Sequence, residues 1–161
     1  MGHHIQAIVA PDRTADAVAA RWPELPRLRH EALFSIFPVD AGLIDATVEP
    51  IAAARPPSHF ILLTPGFRER LRKLSSDGVL AYLETDYFGG AGGQGALVAD
   101  RGVERMEPTW SEADAINRAL KLIGFPRGGC VDRFENLGLA SVRDNEDLLD
   151  LIQTPTNDAP A

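Results

Sequence analysis

Three apolar segments in the second half of the chain follow one another with very short connections. They span residues 79–88, 96–99 and 103–107, and the first of them is the longest strand candidate in the sequence. A glycine-rich stretch joins the first segment to the second, and Arg101-Gly102 is a tight-turn candidate between the second and the third. Strands joined in this way pair with their neighbours along the chain. The pattern therefore predicts a three-stranded antiparallel meander, which constrains the fold more than any other feature.

The rest of the chain supplies further strands and several amphipathic helices. Alternating apolar residues predict a strand over 3–10, and continuous apolar runs predict buried strands over 33–37 and 60–63, the first of these central in the sheet. Helices are predicted where apolar residues recur at helical spacing between capping and terminating residues. These helices run from an N-cap at Asp12 to Pro23, briefly near 43–48, from Thr64-Pro65 to 77–78, from Ser111 to Gly124, and over 146–153.

These elements indicate the α+β fold class. We expect a single domain over residues 1–153, with a mixed sheet that contains the C-terminal antiparallel meander and is packed by about four helices. Residues 127–143 are predicted to be mainly loop, and 154–161 a disordered tail. A chain of 161 residues with 45% hydrophobic composition can bury a continuous core without disulfides.

Composition disfavours several classes of function. Cys130 is the only cysteine, so the chain can form neither an intramolecular disulfide nor a multi-cysteine zinc site, which fits a cytoplasmic location. The apolar runs are far shorter than the roughly 18 residues of a membrane helix, so no membrane association is expected. A net charge of −7 disfavours nucleic acid and favours a cationic partner. The four histidines lack metal-ligand spacing, and no metal or cofactor is expected.

The densest polar feature lies at the end of the first meander strand. On a strand, Tyr82, Glu84 and Asp86 point to one face, so the two carboxylates stand about 7 Å apart. Such a pair can share a metal ion, divide the roles of general acid and base, or hold a cationic group. The same pattern fits an ordinary solvent-facing strand whose acids pair with nearby arginines, and both interpretations stay open.

Five glycines among residues 89–95 follow these carboxylates. A phosphate-binding glycine loop leads into a helix, whereas Gln94 and Gly95 precede a strand, so the stretch is not interpreted as a phosphate site. It is interpreted either as a mobile hairpin that closes over a ligand or adapts to a partner, or as a wide connection that tolerates positive φ.

Three further polar features carry weaker signals. The four cations within residues 68–73 make the predicted helix there locally basic, and a solvated face paired to the surplus acids is favoured over an anion site. Cys130 has no histidine base nearby in sequence, which favours a buried or tolerated thiol over a nucleophile. Asn117 lies beside the apolar stripe of its helix, where it can line a pocket or satisfy loop backbone groups.

One segment of the chain supports a resemblance. The run Glu84-Thr85-Asp86-Tyr87-Phe88-Gly89-Gly90, followed by Gly92 and Gln94, resembles a segment of a group of small uncharacterised bacterial proteins. The similarity includes residues 116–120 and 132–138 and extends over most of the chain. The group has no established chemistry, so it implies no residue roles. In size and charge the chain is also loosely similar to immunity proteins of bacterial toxin systems.

Two functional hypotheses follow. The first is a non-enzymatic, immunity-like bacterial binding protein that engages a basic partner through an acidic strand and the glycine-rich hairpin. The second is a small-molecule-binding enzyme that uses Glu84 or Asp86 as base or metal ligand, with other polar side chains orienting the substrate. DNA binding by the basic helix is disfavoured by the net charge. The candidate binding residues are Glu84, Asp86, Tyr87, Gly90, Gln94 and Asn117.

Overall fold

Seven strands form one sheet in the computed structural model, which describes residues 2–51 and 55–153. The order across the sheet is β3-β4-β2-β5-β6-β7, and β1 continues the line of β2 along β5. The predicted meander is confirmed as β5-β6-β7. The strands are β1 (Gly2–His3), β2 (Gln6–Pro11), β3 (Leu28–His30), β4 (Phe34–Pro38), β5 (Leu80–Phe88), β6 (Ala91–Asp100) and β7 (Val103–Ser111).

Six helices and one short 3-10 turn lie in the described part of the chain, and four of the helices have eight residues or more. The predicted start at Thr64 is confirmed, because Thr64 Oγ1 accepts from the Phe67 N–H. The helix predicted from Ser111 begins instead at Ala115 with Asp114 as its N-cap, and Ser111, the last residue of β7, accepts from the Asp114 and Ala115 N–H groups. The helices are α1 (Asp12–Arg21), α2 (Ala41–Thr47), α3 (Pro65–Leu74), α4 (Ala115–Leu122), α5 (Arg133–Asn136) and α6 (Asn145–Gln153), and the 3-10 turn is Leu139–Ser141.

Helices cover both faces of the sheet. One core cluster lies between the sheet and α4, α5 and α6, and the other lies between the sheet and α1, α2 and α3. Alternation along β2 places Ala7 and Val9 in the first cluster and Ile8 and Ala10 in the second. The inner strands are therefore apolar on both faces, and the α+β class is confirmed.

The sheet differs from the prediction in three ways. All its named strand pairs are antiparallel, whereas a mixed sheet was predicted. The short connections from β3 to β4, β5 to β6 and β6 to β7 favour antiparallel pairing of those strands. The strand predicted to be central, now β4, is next to the edge strand β3. Residues 60–63 are not a strand, because the backbone N–H groups of Ile61 and Leu62 donate to a side chain instead of to a neighbouring strand.

Two helix predictions differ from the structure, one because of a tertiary contact and one because a local cap was missed. Asp12 does not cap α1; it is the first helical residue, and its carboxylate accepts from Ser35 Oγ of β4. Part of the segment predicted as loop over 127–143 forms α5, whose N-cap Asp132 accepts from the Glu135 N–H. The predicted tail over 154–161 lies outside the described residues.

None of the helices in the described part of the chain has the length and apolar character that crossing a bilayer requires.

Candidate functional site

Glu84, on β5, is a buried structural carboxylate. Its residue is only 1% exposed, although the predicted alternation of β5 is correct and Glu84 does lie on the same face as Asp86. Its two oxygens accept separately from the Ile61 N–H (2.7 Å) and the Leu62 N–H (3.1 Å), and the Tyr82 hydroxyl donates to it over 2.9 Å. The prediction that Glu84 belongs to an exposed acidic surface is therefore wrong, because the 57–63 segment covers it.

Burial dominates the ionisation of Glu84. Removal from water raises the pKa of the Glu84 carboxyl above its usual value, and the hydrogen bonds from Ile61, Tyr82 and Leu62 oppose that rise. The pKa of Tyr82 is raised well above its usual value by its own burial and by the adjacent Glu84 charge. Glu84 forms no ion pair in the described part of the chain, so its charge is stabilised by dipoles alone.

Asp86 lies two residues further along the same face, where the cover ends. Its side chain is 48% exposed, and its Oδ1 is 3.1 Å from Nδ1 of His4, a contact that is an ion pair only when the imidazole is protonated. Of the two predicted carboxylates, Asp86 alone can touch a ligand or a partner. The alternative enzymatic role of Glu84 as base or metal ligand therefore lacks substrate access in this conformation.

Tyr87 and Gln94 lie on the opposite face of the sheet from Asp86. Gln94 is 5% exposed; its Nε2 donates to the Tyr87 hydroxyl, and its Oε1 accepts from the Ile116 N–H at the start of α4. The Tyr87 hydroxyl in turn donates to the backbone carbonyl of Glu112. These side chains tie the hairpin to α4, and they do not converge with Asp86 on one cavity as the enzyme hypothesis requires.

Asn117 belongs to a different hydrogen-bonded group. Its Oδ1 accepts from the Phe134 N–H over 2.9 Å, and its Nδ2 donates to Asp132 over 3.2 Å. The side chain therefore joins α4 to α5 and satisfies a backbone N–H at the start of α5. Of the two roles considered from the sequence, satisfying backbone groups or lining a pocket, these contacts correspond to the first.

The glycine-rich stretch is neither a wide connection nor a loop. Gly89 and Gly90 form a two-residue turn with φ of +61° and +82°, the positive pair that a type I′ hairpin turn needs, and β6 begins at once at Ala91. Gly93 and Gly95 are strand residues opposite Asp86 and Glu84. Their missing side chains leave space for aromatic rings that lie against the strand.

The rings over this strand belong to Phe60 and Trp110. A Cβ atom at Gly95 would lie 2.5 Å from Cζ of Phe60 and 2.6 Å from Cε3 of Trp110, and one at Gly93 would overlap the Trp110 indole nitrogen. The Trp110 ring is 5.4 Å from that of Phe60 and stacks on the His59 ring at 5.6 Å with an interplanar angle of 24°. Aromatic side chains thus replace the packing that the glycines lack.

A cavity of about 450 Å³ opens beside these rings, and we call it the hairpin pocket. Its volume falls within the range of roughly 300–1,000 Å³ that is usual for ligand sites. Two acidic residues, two aromatic residues and two glycines of β6 belong to its lining. The hairpin pocket is lined by His59, Asp86, Gly92, Gly93, Trp110, Ser111 and Glu112.

Only Asp86 among the lining residues was a predicted site residue. His59 comes from the segment expected to lead into a strand, and Trp110 and Glu112 come from the extension of β7 beyond residue 107 and the turn after it. The glycine run could have indicated an aromatic residue here, because large rings often pack over glycines within a paired strand and replace their missing side chains.

A second cavity of about 450 Å³ lies between α2 and α3. Its lining contains two cations, Arg70 and Lys73, and two acids, Glu49 and Glu69, so its formal charges offset one another. The two other cations of this helix are paired to acids, as the favoured prediction states: Arg68 forms two bonds to Glu104, and Arg72 contacts Glu69 and Glu104.

The pairing with Arg68 determines the ionisation of Glu104. Hydrogen bonding to Arg68 lowers the pKa of Glu104 below its usual value against an opposing effect of burial, and Glu104 correspondingly raises the pKa of Arg68. Arg68 and Arg72 therefore face a fixed carboxylate and are not available to an anionic ligand.

The fold and the site define an α+β protein with one antiparallel sheet, helices on both faces, and an acidic, aromatic pocket beside a glycine hairpin. No family model, curated protein or solved structure matches the chain.

Proposed function

We propose that the chain is a non-enzymatic binding protein that engages a basic partner through the acidic side of its glycine hairpin. The observation that carries the proposal is the hairpin pocket, an open cavity whose lining includes the acidic residues Asp86 and Glu112 beside Trp110. Paired carboxylates around an aromatic surface suit a positively charged group.

The hairpin next to the pocket has the features of a contact surface. Phe88 is 74% exposed at its end, and the two-residue turn presents Gly89 and Gly90 without side chains. A protruding ring beside a charged cavity is the usual form of an interface anchor, because aromatic residues contribute most when a partner covers them. The hairpin therefore supplies the apolar part of the proposed interface and the pocket supplies the charged part.

The charge of the whole chain supports the same class of partner. A net charge of −7 attracts a basic protein over distances comparable with the Debye length and raises the rate of encounter. The proposal extends to an immunity-like role, in which the basic partner is a toxin, and to a cytoplasmic location that suits a single free cysteine.

Capture of a partner from the native host tests the proposal. The tagged chain should retain a basic protein at low salt and lose it as salt rises, because screening weakens charge attraction. The double variant Asp86→Arg with Glu112→Arg should abolish capture. The double variant Glu24→Arg with Glu31→Arg is the control matched in charge, since both are exposed carboxylates near β3 at the opposite sheet edge.

The control defines the result that would overturn the proposal. If the pocket double variant and the control double variant Glu24→Arg with Glu31→Arg reduce capture equally, only net charge matters and the pocket is not the contact. If no basic protein is retained at any salt concentration by the unaltered chain, the proposed function is wrong.

A further inference from the structure

The walls of the hairpin pocket are flat and aromatic. Trp110 and His59 form a stacked pair, and Gly93 brings bare backbone to the edge of the Trp110 indole. Planar groups bind such walls by stacking, whereas a compact ammonium group is strongly hydrated and contacts a ring as a point charge. The shape of the cavity thus favours a planar ligand.

The polar groups of the pocket are mostly acceptors. The Asp86 carboxylate meets His4 through one of its oxygens, and the Glu112 side chain is exposed and makes no hydrogen bond or ion pair within the described part of the chain. Ser111 Oγ already accepts from the N–H groups of Asp114 and Ala115. A ligand that fits these groups carries several N–H donors and a positive charge.

A metal ion suits the pocket less well than an organic cation. Dedicated protein sites for zinc or calcium use several ligand side chains, and among the described residues no group of three or more histidine, cysteine, aspartate or glutamate side chains converges. The aromatic walls contribute nothing to a hard cation that prefers oxygen ligands. They contribute directly to a cation that is itself planar.

We infer that the hairpin pocket binds the guanidinium group of an arginine side chain on the basic partner. A guanidinium combines planarity, charge and five N–H donors, so it can pack against the His59–Trp110 pair, whose His59 ring is exposed, while it donates in its own plane to Asp86 and Glu112. This inference rests on the proposed function, since it names the side chain by which the basic partner is held.

The two tryptophans of the chain provide the assay. Trp110 lines the pocket, and Trp22 is fully buried under α3, so the two indole N–H signals in a proton–nitrogen NMR spectrum give a reporter and an internal control. The probes are N-acetyl-arginine amide, N-acetyl-lysine amide and N-acetyl-citrulline amide, where citrulline keeps the shape of arginine without its charge.

The arginine probe should shift the Trp110 signal in a saturable way and leave the Trp22 signal in place. The lysine probe should bind about tenfold more weakly, and the citrulline probe should cause no shift at the same concentrations. Asp86→Asn should weaken the arginine probe by about tenfold, because it removes one charged acceptor. The matched control Glu24→Gln should leave the titration unchanged.

Equal binding of the lysine or citrulline probe would overturn the inference, and so would a shift that persists unchanged in Asp86→Asn. The proposed function has a separate outcome. If no probe binds but capture of the basic protein still depends on Asp86 and Glu112, the guanidinium inference fails and the proposed function stands. If the arginine probe binds but no basic protein is captured, the proposed function fails and the pocket remains a guanidinium site.

Discussion

Replacement of Glu84 by Gln tests how a buried carboxylate without a cation supports this fold. Glu84 offers one oxygen to the Ile61 N–H and the other to the Leu62 N–H. Gln has a single oxygen, so its amide nitrogen must face one of these two donors. A buried N–H left without an acceptor destabilises a protein by about 1–3 kcal/mol. We expect Glu84→Gln to lower the free energy of unfolding by that amount at neutral pH, even though it also removes a buried charge.

The pH dependence of the difference identifies the cause. The pKa of Glu84 is raised in the folded state, so the folded protein binds more protons than the unfolded chain between the unfolded and folded pKa values. The stability contributed by Glu84 is fully present below the unfolded pKa and declines as the pH rises through the folded pKa. The advantage of the unaltered protein over Glu84→Gln should therefore grow as the pH falls through this window, by about 1.4 kcal/mol for each unit of pKa difference.

Urea unfolding, followed by tryptophan fluorescence at a series of pH values, measures both quantities. Glu24→Gln serves as the control, because this exposed carboxylate should change stability by less than about 0.5 kcal/mol. Two results would refute the reasoning. A Glu84→Gln variant as stable as the unaltered protein would show that neither backbone donor depends on the second oxygen. An advantage that shrinks in acid would show that the hydrogen bonds to Glu84 outweigh its burial.

Three further predictions concern the hairpin and the charged face of α3. Gly95→Ala should destabilise the protein by about 1–3 kcal/mol in urea unfolding, because its Cβ would overlap two aromatic rings, whereas Gly129→Ala has open space and should be neutral. Arg68→Lys should lower the free energy of unfolding by about 1 kcal/mol, because lysine cannot form both hydrogen bonds to Glu104. The loss should be smaller in acid, because the pKa of Glu104 is lowered in the folded state and the stability that its pairing contributes is lost as the pH falls through that pKa. Phe88→Ser should leave the unfolding midpoint unchanged but weaken capture of the basic partner; unchanged capture would exclude the hairpin end from the interface.

Local signals predicted the parts of the fold in which the sequence itself fixes the backbone. Thr64-Pro65 starts α3 because the Thr64 hydroxyl oxygen accepts from the Phe67 N–H. Ser111 lies just before α4, and its hydroxyl oxygen accepts from the N–H groups of Asp114 and Ala115, where that helix begins. The meander followed for the same reason, since its connections are too short to lead anywhere but to the adjacent strand. These arrangements need no knowledge of distant parts of the chain.

Predictions failed where a distant side chain takes over a backbone group. Residues 60–63 have the apolar composition of a strand, but Glu84, more than 20 positions away, accepts two of their N–H groups and holds them outside the sheet. Asp12 has the position of a helix cap, but Ser35 and Arg27 engage its carboxylate. Neither of these long-range contacts can be recognised from the residues next to it in the sequence.

The candidate site shows the same division. Strand alternation correctly placed Glu84 and Asp86 on one face, but alternation says nothing about what covers a face. The cover over Glu84 comes from a segment between α2 and α3, and it ends before Asp86. The Glu84 carboxylate therefore binds backbone N–H groups, whereas Asp86 borders a cavity.

The glycines explain why the two carboxylates are separated at this point. Gly95 lies opposite Glu84, and Gly93 lies opposite Asp86. Above Gly95 the Phe60 and Trp110 rings both lie against the strand, whereas above Gly93 the edge of Trp110 and the Ser111 carbonyl lie against it and the hairpin pocket opens. Glu84 accepts hydrogen bonds from the segment that carries His59 and Phe60. The buried Glu84 therefore helps to hold His59 in the wall of the hairpin pocket, next to the accessible Asp86. A change at Glu84 should therefore alter stability and the hairpin pocket together, whereas a change at Asp86 should alter binding alone.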